Sequence, residues 1–202
     1  MKLSRYKKLT VKLLVVYIAI VSLVAYAHPV ADAVTAAGVA LVAAGEILRI
    51  WAAGHLVKNK ELTTTGPYAH VKNPLYLGTF LIMVGLALIA RTDPASPGWE
   101  RHANWILLGI GCVVFVIYYA PYKSKREGGH LKEKFGEAWE DYDRNVPDYF
   151  PTLRKYHRGT RRFTWAMVGE NSEQWTLLAV VTGLGILAYA VEVRTFLLGI
   201  IR

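Results

Sequence analysis

Leu62-Thr63-Thr64-Thr65-Gly66-Pro67-Tyr68-Ala69-His70-Val71-Lys72-Asn73-Pro74-Leu75-Tyr76-Leu77-Gly78 joins two apolar segments of the chain. A connector between membrane helices needs only polarity. This one carries two Gly, two Pro, two Tyr, a His, a Lys and an Asn, and it runs straight into apolar sequence. Pro74 suits the first turn of a helix, where its missing N–H does no harm. Asn73 before it is pushed toward extended geometry and stands at the N-cap position. A helix starting there offers free N–H groups and a partial positive field to an anionic ligand group. Gly78, one turn in, lets another backbone or a flat ring approach. Tyr68 and Tyr76 either stack on a ligand or sit in the aromatic belt of a membrane interface.

The surrounding composition sets the compartment. The chain has 202 residues, 53% of them apolar, and a mean hydropathy of +0.26. That is too apolar for an ordinary soluble domain, and the apolar residues come in blocks. The formal net charge is +9. Because the basic residues border apolar blocks, anionic lipid is the expected partner and nucleic acid is not. The single cysteine, Cys112, lies inside an apolar run and cannot form an intrachain disulfide. The six histidines show no metal-ligand spacing, and no Ser-His-Asp arrangement or phosphate-binding glycine loop is present. No metal is expected.

Five apolar segments, at 9–27, 34–55, 75–91, 103–122 and 175–199, predict an all-α, multi-pass membrane protein with about five transmembrane helices. The third is near the lower length limit. Glu192 and Arg194 interrupt the fifth and are expected at the far interface, with Thr195 to Ile201 lying along it. Gly183 and Gly185 in that segment suit close helix packing. The N-terminal stretch also has the outline of a signal peptide, with small residues near Ala25-Tyr26-Ala27. A retained helix is preferred, because the remaining chain is itself membrane-like. Lys2, Arg5, Lys7, Lys8 and Lys12 place the N-terminus in the cytoplasm. Lys58, Lys60 and Lys72 put the Leu62–Gly78 loop on the same side, as do the eleven Lys or Arg between 123 and 162. The loops at 28–32 and 91–102 are then outer turns, and the C-terminus is outside.

After the fourth segment, Leu131, Phe135, Ala138, Trp139 and Tyr142 recur at steps of three and four, predicting an amphipathic cytoplasmic helix stopped at Val146-Pro147. The basic stretch Arg154 to Arg162 reads as a contact with anionic headgroups. This gives an N-terminal helix and outer loop (1–33), a core (34–151), and a basic linker with an additional transmembrane helix (152–202). Two charge pairs fall at helical spacing. Glu46 and Arg49 share a face of the second helix, where they either pair with each other or serve function, Arg49 being a candidate substrate contact. Lys123 and Glu127 share a face where the fourth helix leaves the membrane.

Together these residues resemble a known family. Gly66-Pro67-Tyr68-(x)3-Lys72-Asn73-Pro74-Leu75-Tyr76-Leu77-Gly78 is similar to the first signature of the isoprenylcysteine carboxyl methyltransferase and phospholipid methyltransferase superfamily. Glu127-(x)3-Leu131-(x)3-Phe135-Gly136-(x)5-Tyr142-(x)3-Val146-Pro147 is similar to the second. The resemblance covers residues 34 to 151. It implies an integral membrane methyltransferase that binds S-adenosylmethionine at the cytoplasmic face and takes a lipophilic acceptor from the bilayer. It carries cofactor contacts to Lys60, Glu61, Leu62, Thr63, Tyr68, Asn73, Pro74, Leu75, Tyr76 and Glu127. It makes Lys123 and Glu127 the catalytic pair, with Lys123 facing the acceptor. Lys72-Asn73 stands where the family has Arg-His, and Lys123 stands where it has Arg. A lysine keeps the charge but loses the bidentate fork that suits a carboxylate. The acceptor is therefore a prenylcysteine-type carboxylate or a lipid headgroup, without a choice between them. A sterol-reductase-type enzyme using a nicotinamide cofactor, and a non-catalytic lipid-binding module, are the alternatives. The oligomeric state is not legible.

Overall fold

The computed structural model describes residues 25–58, 60–114, 120–156 and 159–201, with side chains described except at 120–127, 197–198 and 200–201. The expected first helix at 9–27, and the cytoplasmic N-terminus inferred from it, lie almost wholly outside these residues. What is described is all-α. Its helices are α1 (Ala33–His55), α2 (Pro74–Ile89), α3 (Ala103–Val114), α4 (Ala120–Phe135), α5 (Glu137–Asn145), α6 (Trp165–Glu170), α7 (Glu173–Ala188) and α8 (Ala190–Ile201). Short 3₁₀ turns at Gly66–Ala69 and Gly98–His102 precede α2 and α3.

α1 begins where Asp32, in extended backbone, accepts hydrogen bonds at Oδ1 from the N–H groups of Val34 and Thr35, both 3.0 Å. Its other oxygen takes Arg91 Nη2 at 2.6 Å, which ties the start of α1 to the second residue after α2. His28 N–H donates to Arg91 O at 2.6 Å beside a single bridge from Ala27 to Thr92. The two turns expected on one side of the membrane are thus joined. At 23 residues, α1 is about 34 Å long and can cross a hydrocarbon layer of about 30 Å.

α2 runs back along α1, and four glycines decide how closely. A Cβ on Gly45 would stand 2.6 Å from Gly78 O, and one on Gly38 would stand 2.8 Å from Gly85 O. Seven residues separate the glycines on each helix, so two backbone-to-backbone contacts form two turns apart. Gly78 therefore admits a neighbouring backbone, and a flat ring finds no room there. α7 lies along the pair from Glu173, beside Arg49, to Leu187. There Leu187 and Ala190 join Ala27, Val42, Ile82, Ile89 and Ala90 in one buried cluster. Across α3 the link is Asn104, buried, whose Nδ2 donates to Ala87 O at 2.9 Å.

Large apolar side chains cover the outward faces: Ile47 and Trp51 on α1, Phe80 on α2, Ile110 and Val113 on α3, Leu178 and Val181 on α7. Such a surface calls for a lipid environment. Among the described residues, however, only α1 is by itself long and apolar enough to span a membrane. α7 and α8 pass that test only as a pair, bent by 73° at Tyr189. The bend falls before Glu192, rather than at Thr195 as the charges suggested. The 16 residues of α2 reach about 24 Å, short of the full layer. Gly183 and Gly185 meet nothing within 4 Å and so pack against no described helix. The single amphipathic helix expected over 131–142 is broken. Gly136 takes φ +51°, a region open to glycine, and separates α4 from α5. The expected stop holds, with Val146 in extended backbone at the end of α5.

Candidate functional site

One end of the bundle carries the site. His55 ends α1, and its Nδ1 lies 2.9 Å from Thr65 Oγ1, which orders the loop just before the Gly66–Ala69 turn. Thr63 Oγ1 accepts from Val57 N–H at 3.2 Å. The loop then passes under the chain that follows α5, and the two bind each other throughout. Tyr142 OH donates to Tyr68 O at 2.8 Å, Lys72 N–H donates to Pro147 O at 2.8 Å, and Asn73 Nδ2 donates to Asp148 O at 3.1 Å. The N–H of Thr152 reaches His70 O and that of Tyr156 reaches Ala69 O, both at 3.0 Å. His70 Nδ1 lies 2.9 Å from Thr152 O, a carbonyl that can only accept, so the proton sits on Nδ1. Lys72 Nζ lies between Asp143 at 2.5 Å and Asp148 at 3.2 Å. This clamp gives a physical meaning to finding both motifs in one chain. The first is the loop, and the second ends in the strap that holds it.

Between loop, strap and α4 lies a cavity of about 1090 Å³. Ligand pockets run to roughly 300–1,000 Å³, so there is room for a cofactor-sized molecule together with part of a second. Its walls mix aliphatic and aromatic surface, from Leu56, Val57, Tyr76 and Trp139, with the charged groups of Lys58, Glu61, Lys72 and Asp143. Eight of the residues carried over as cofactor contacts line it: Glu61, Leu62, Thr63, Tyr68, Asn73, Pro74, Leu75 and Tyr76. Lys60 is exposed and outside the wall. Lys123 and Glu127 fall on α4, and their side chains lie outside the described residues. The segment immediately after them, Gly128 to Glu133, forms one wall of the cavity. Asn73 occupies the N-cap position of α2, yet its side chain makes no capping bond and is spent on Asp148 O.

Arg49 and Glu46 do not pair with each other. Arg49 reaches instead to Glu173, a residue 124 positions away, and to Leu75 O and Thr79. The Glu46 carboxylate is buried, and neither oxygen has a hydrogen-bond partner among the described residues. Arg161 pairs with Glu61 at 2.7 Å, so part of the basic stretch expected at the headgroups is turned toward the loop. The sequence left Asp143, Asp148, Asn171 and Glu173 unremarked. The only available signal was position: two aspartates flank Val146-Pro147, and an Asn-Ser-Glu triplet opens an apolar segment.

Burial keeps Tyr142 and Tyr149 protonated, with nearby groups contributing. Burial pushes the Tyr142 phenol well above its usual range, and the neighbouring Tyr68, Tyr156, Asp148 and Asp143 add to the effect. Tyr149 shifts the same way through burial and Asp148, with Lys72 opposing. Tyr142 therefore remains a donor to Tyr68 O throughout the neutral range. Among the described residues, no three His, Cys, Asp or Glu side chains gather to hold a metal ion.

Residues 33–96 match the family model for phospholipid methyltransferase. The match covers α1, the loop, α2 and the turn after it. It bears out the resemblance to the isoprenylcysteine carboxyl methyltransferase and phospholipid methyltransferase superfamily. The second motif lies beyond the matched residues. The nickel-cobalt-cadmium resistance protein NccN of Alcaligenes xylosoxydans xylosoxydans is 34% identical over 107 residues, 52% of this chain and 44% of its own length. The cobalt-zinc-cadmium resistance protein CzcN of Cupriavidus metallidurans is 30% identical over 129 residues, 63% of this chain and 51% of its own. The chain thus spans about half the length of these curated relatives. No solved structure matches it.

Proposed function

We propose that the protein is a multi-pass membrane methyltransferase that moves a methyl group from S-adenosylmethionine to a lipophilic acceptor, a prenylcysteine-type carboxylate or a lipid headgroup. The observation that carries this is the cavity. It lies at the end of an apolar helix pair within a phospholipid methyltransferase segment, and eight residues that the family resemblance assigns to the cofactor form its wall. The donor set fits such a molecule. Tyr68, Tyr76 and Leu75 offer ring and aliphatic surface, while Glu61 and Asp143, each ion-paired through one oxygen, with Arg161 and Lys72 respectively, have a second carboxylate oxygen for an ammonium or for hydroxyl groups. When bound, S-adenosylmethionine supplies a methyl group already activated by its sulfonium. The chain then has only to position the acceptor and exclude water, with no nucleophilic side chain of its own.

In this proposal Lys123 holds an anionic acceptor group and Glu127 holds the cofactor or fixes Lys123. The loop and strap close the cavity from water, and five helices cross the bilayer with the cavity on the cytoplasmic side. The apolar outer faces of α1, α2, α3 and α7 support membrane burial. The test is transfer of a labelled methyl group from S-adenosylmethionine into the lipid extract of membranes containing the protein. Tyr76→Phe and Glu127→Ala are expected to reduce it. If both variants bind S-adenosylhomocysteine and transfer methyl like the parent, the assigned site is wrong.

A further inference from the structure

We infer that Glu173 and Asn171, which lie far outside the phospholipid methyltransferase segment, are positioning residues that hold the cavity wall from behind. This rests on the proposed methyltransferase reading for its ligand, but the geometry stands apart from it.

Two pieces of backbone form the inner wall: the residues just after α1, Leu56 and Val57, and Leu75 in the first turn of α2. One carbonyl in each piece, Leu56 O and Leu75 O, accepts a side-chain hydrogen bond from outside the wall. Asn171 Nδ2 donates both its hydrogens to the end of α1, to Ala53 O at 2.9 Å and Leu56 O at 2.8 Å. Ala53 O also accepts the Leu56 N–H at 3.2 Å, so the amide reinforces one carbonyl of the helix end and supplies a side-chain partner to the next, Leu56 O. Leu75 O accepts from Arg49 Nη1 at 3.1 Å, and the same nitrogen reaches Thr79 Oγ1 at 2.6 Å. Glu173 aims that guanidinium. Its two oxygens take Arg49 Nε at 2.6 Å and Nη2 at 3.0 Å. Such fork-to-fork contact fixes the plane of the guanidinium, which a single point charge cannot do. Both partners are largely withdrawn from water, at 15% and 4% side-chain exposure.

The alternative partner is present and unused. Glu46 sits one turn before Arg49 on the same helix, yet its carboxylate receives no hydrogen bond among the described residues. Pairing with Glu46 would serve α1 alone, whereas pairing with Glu173 turns the free edge of the guanidinium toward Leu75. The chain adopts an uncommon backbone to bring this about. Ser172, between the two residues, has φ +62°, a left-handed conformation seldom taken by a residue other than glycine. It lets Asn171 face the end of α1 while Glu173 faces Arg49. Thr164 N–H, donating to Gly54 O at 3.0 Å, adds a third attachment of this segment to the same end. The C-terminal segment thus serves the cavity, in addition to supplying another apolar helix.

The test uses the full chain in lipid nanodiscs. S-adenosylhomocysteine affinity is measured by calorimetry, and hydrogen exchange of residues 56–79 is followed without ligand. Asn171→Ala and Glu173→Gln are expected to speed exchange at 56–63 and 75–79 respectively, and each to weaken S-adenosylhomocysteine by about tenfold, the scale of one to two hydrogen bonds. Arg49→Lys keeps the charge opposite Glu173 but cannot hold Glu173 and Leu75 O together. It is expected to weaken the ligand by more than its loss of stability accounts for, a split that a purely stabilising ion pair would not give. Should Glu173→Gln fail to fold, Asn171→Ala and Arg49→Lys decide. Parent-like affinity and exchange in these variants, or affinity loss only in proportion to lost stability, would overturn the inference. If the parent protein binds no S-adenosylhomocysteine, the cofactor reading fails, while the exchange data still decide the positioning role.

Discussion

Replacing Tyr142 by Phe removes one oxygen from the strap and tests whether the loop is held by that bond. Tyr142 is 2% exposed, and its hydroxyl donates at 2.8 Å to the carbonyl of Tyr68, itself buried. The ring contacts to Trp139 at 5.9 Å and Tyr156 at 5.3 Å do not involve the oxygen and survive the change. What is lost is the partner of a buried carbonyl, a cost of about 1–3 kcal/mol. At about 2–4 °C per kcal/mol for a chain of this size, melting should fall by roughly 2–12 °C. If binding requires the loop in its clamped position, the same cost appears in affinity for S-adenosylhomocysteine, as a loss of roughly 5- to 150-fold. Thermal unfolding and calorimetry in nanodiscs read the two effects. Unchanged melting and affinity would refute the claim that the hydroxyl holds the loop. Reduced melting with parent-like affinity would mean that the strap serves the fold and not the cavity. The pH dependence adds a check with a definite sign. The folded-state pKa is raised above the ordinary value of 10.0, so the folded chain holds this proton more tightly. The resulting stability is complete below about pH 10 and declines as the pH rises above it, because the unfolded chain ionises first. Tyr142→Phe should abolish that component.

The glycine contacts between α1 and α2 predict a sharp contrast. Gly45→Ala puts a Cβ 2.6 Å from Gly78 O and should destabilise by about 1–3 kcal/mol in thermal unfolding, whereas Gly183→Ala meets nothing among the described residues and should be neutral or slightly stabilising. Lys72→Met should cost no more than about 1 kcal/mol despite two aspartate partners, because both are half-exposed, and the difference from the parent should shrink with added salt. The proposed orientation predicts that, in a Cys112→Ala background, Trp99→Cys reacts with a membrane-impermeant maleimide in intact cells and Lys58→Cys reacts only after permeabilisation. The reverse pattern would invert the topology.

The parts of this fold that were legible in the sequence are those fixed by local chemistry. Pro74 after Asn73 and Pro147 after Val146 each mark an element end, and both ends fall where expected. Part of the cavity wall lies in one short stretch, so the residues that the resemblance named between Glu61 and Tyr76 are neighbours in space as well, whereas the part of the wall from Gly128 to Tyr149 comes from a second stretch. The break at Gly136 was missed because the apolar stripe continues across it. Leu131, Phe135 and Tyr142 keep helical spacing whether or not the helix is continuous, and periodicity cannot register a single residue at positive φ.

The choice of partner for Arg49 was missed for a reason that holds for most buried charges. From the sequence, Glu46 is the natural candidate, three residues away on the same face. An intrahelical pair there would satisfy charge but leave the guanidinium with N–H groups that nothing on α1 can accept. In the packed structure those groups find Leu75 O, Thr79, Thr176 and both oxygens of Glu173. A buried guanidinium is stable only when its whole donor set is matched, and no residue on a single helix can do that. The decision therefore lies with the turn at Ser172, which brings α7 alongside α1 and α2 with Glu173 at its first position. Glu46, displaced from the pairing, is left buried without a hydrogen bond among the described residues. Glu46→Gln should accordingly be tolerated, with melting close to the parent, while Glu173→Gln should not. Equal losses from the two would mean that Arg49 divides its charge between them, and that the long-range pair does not set the position of Leu75.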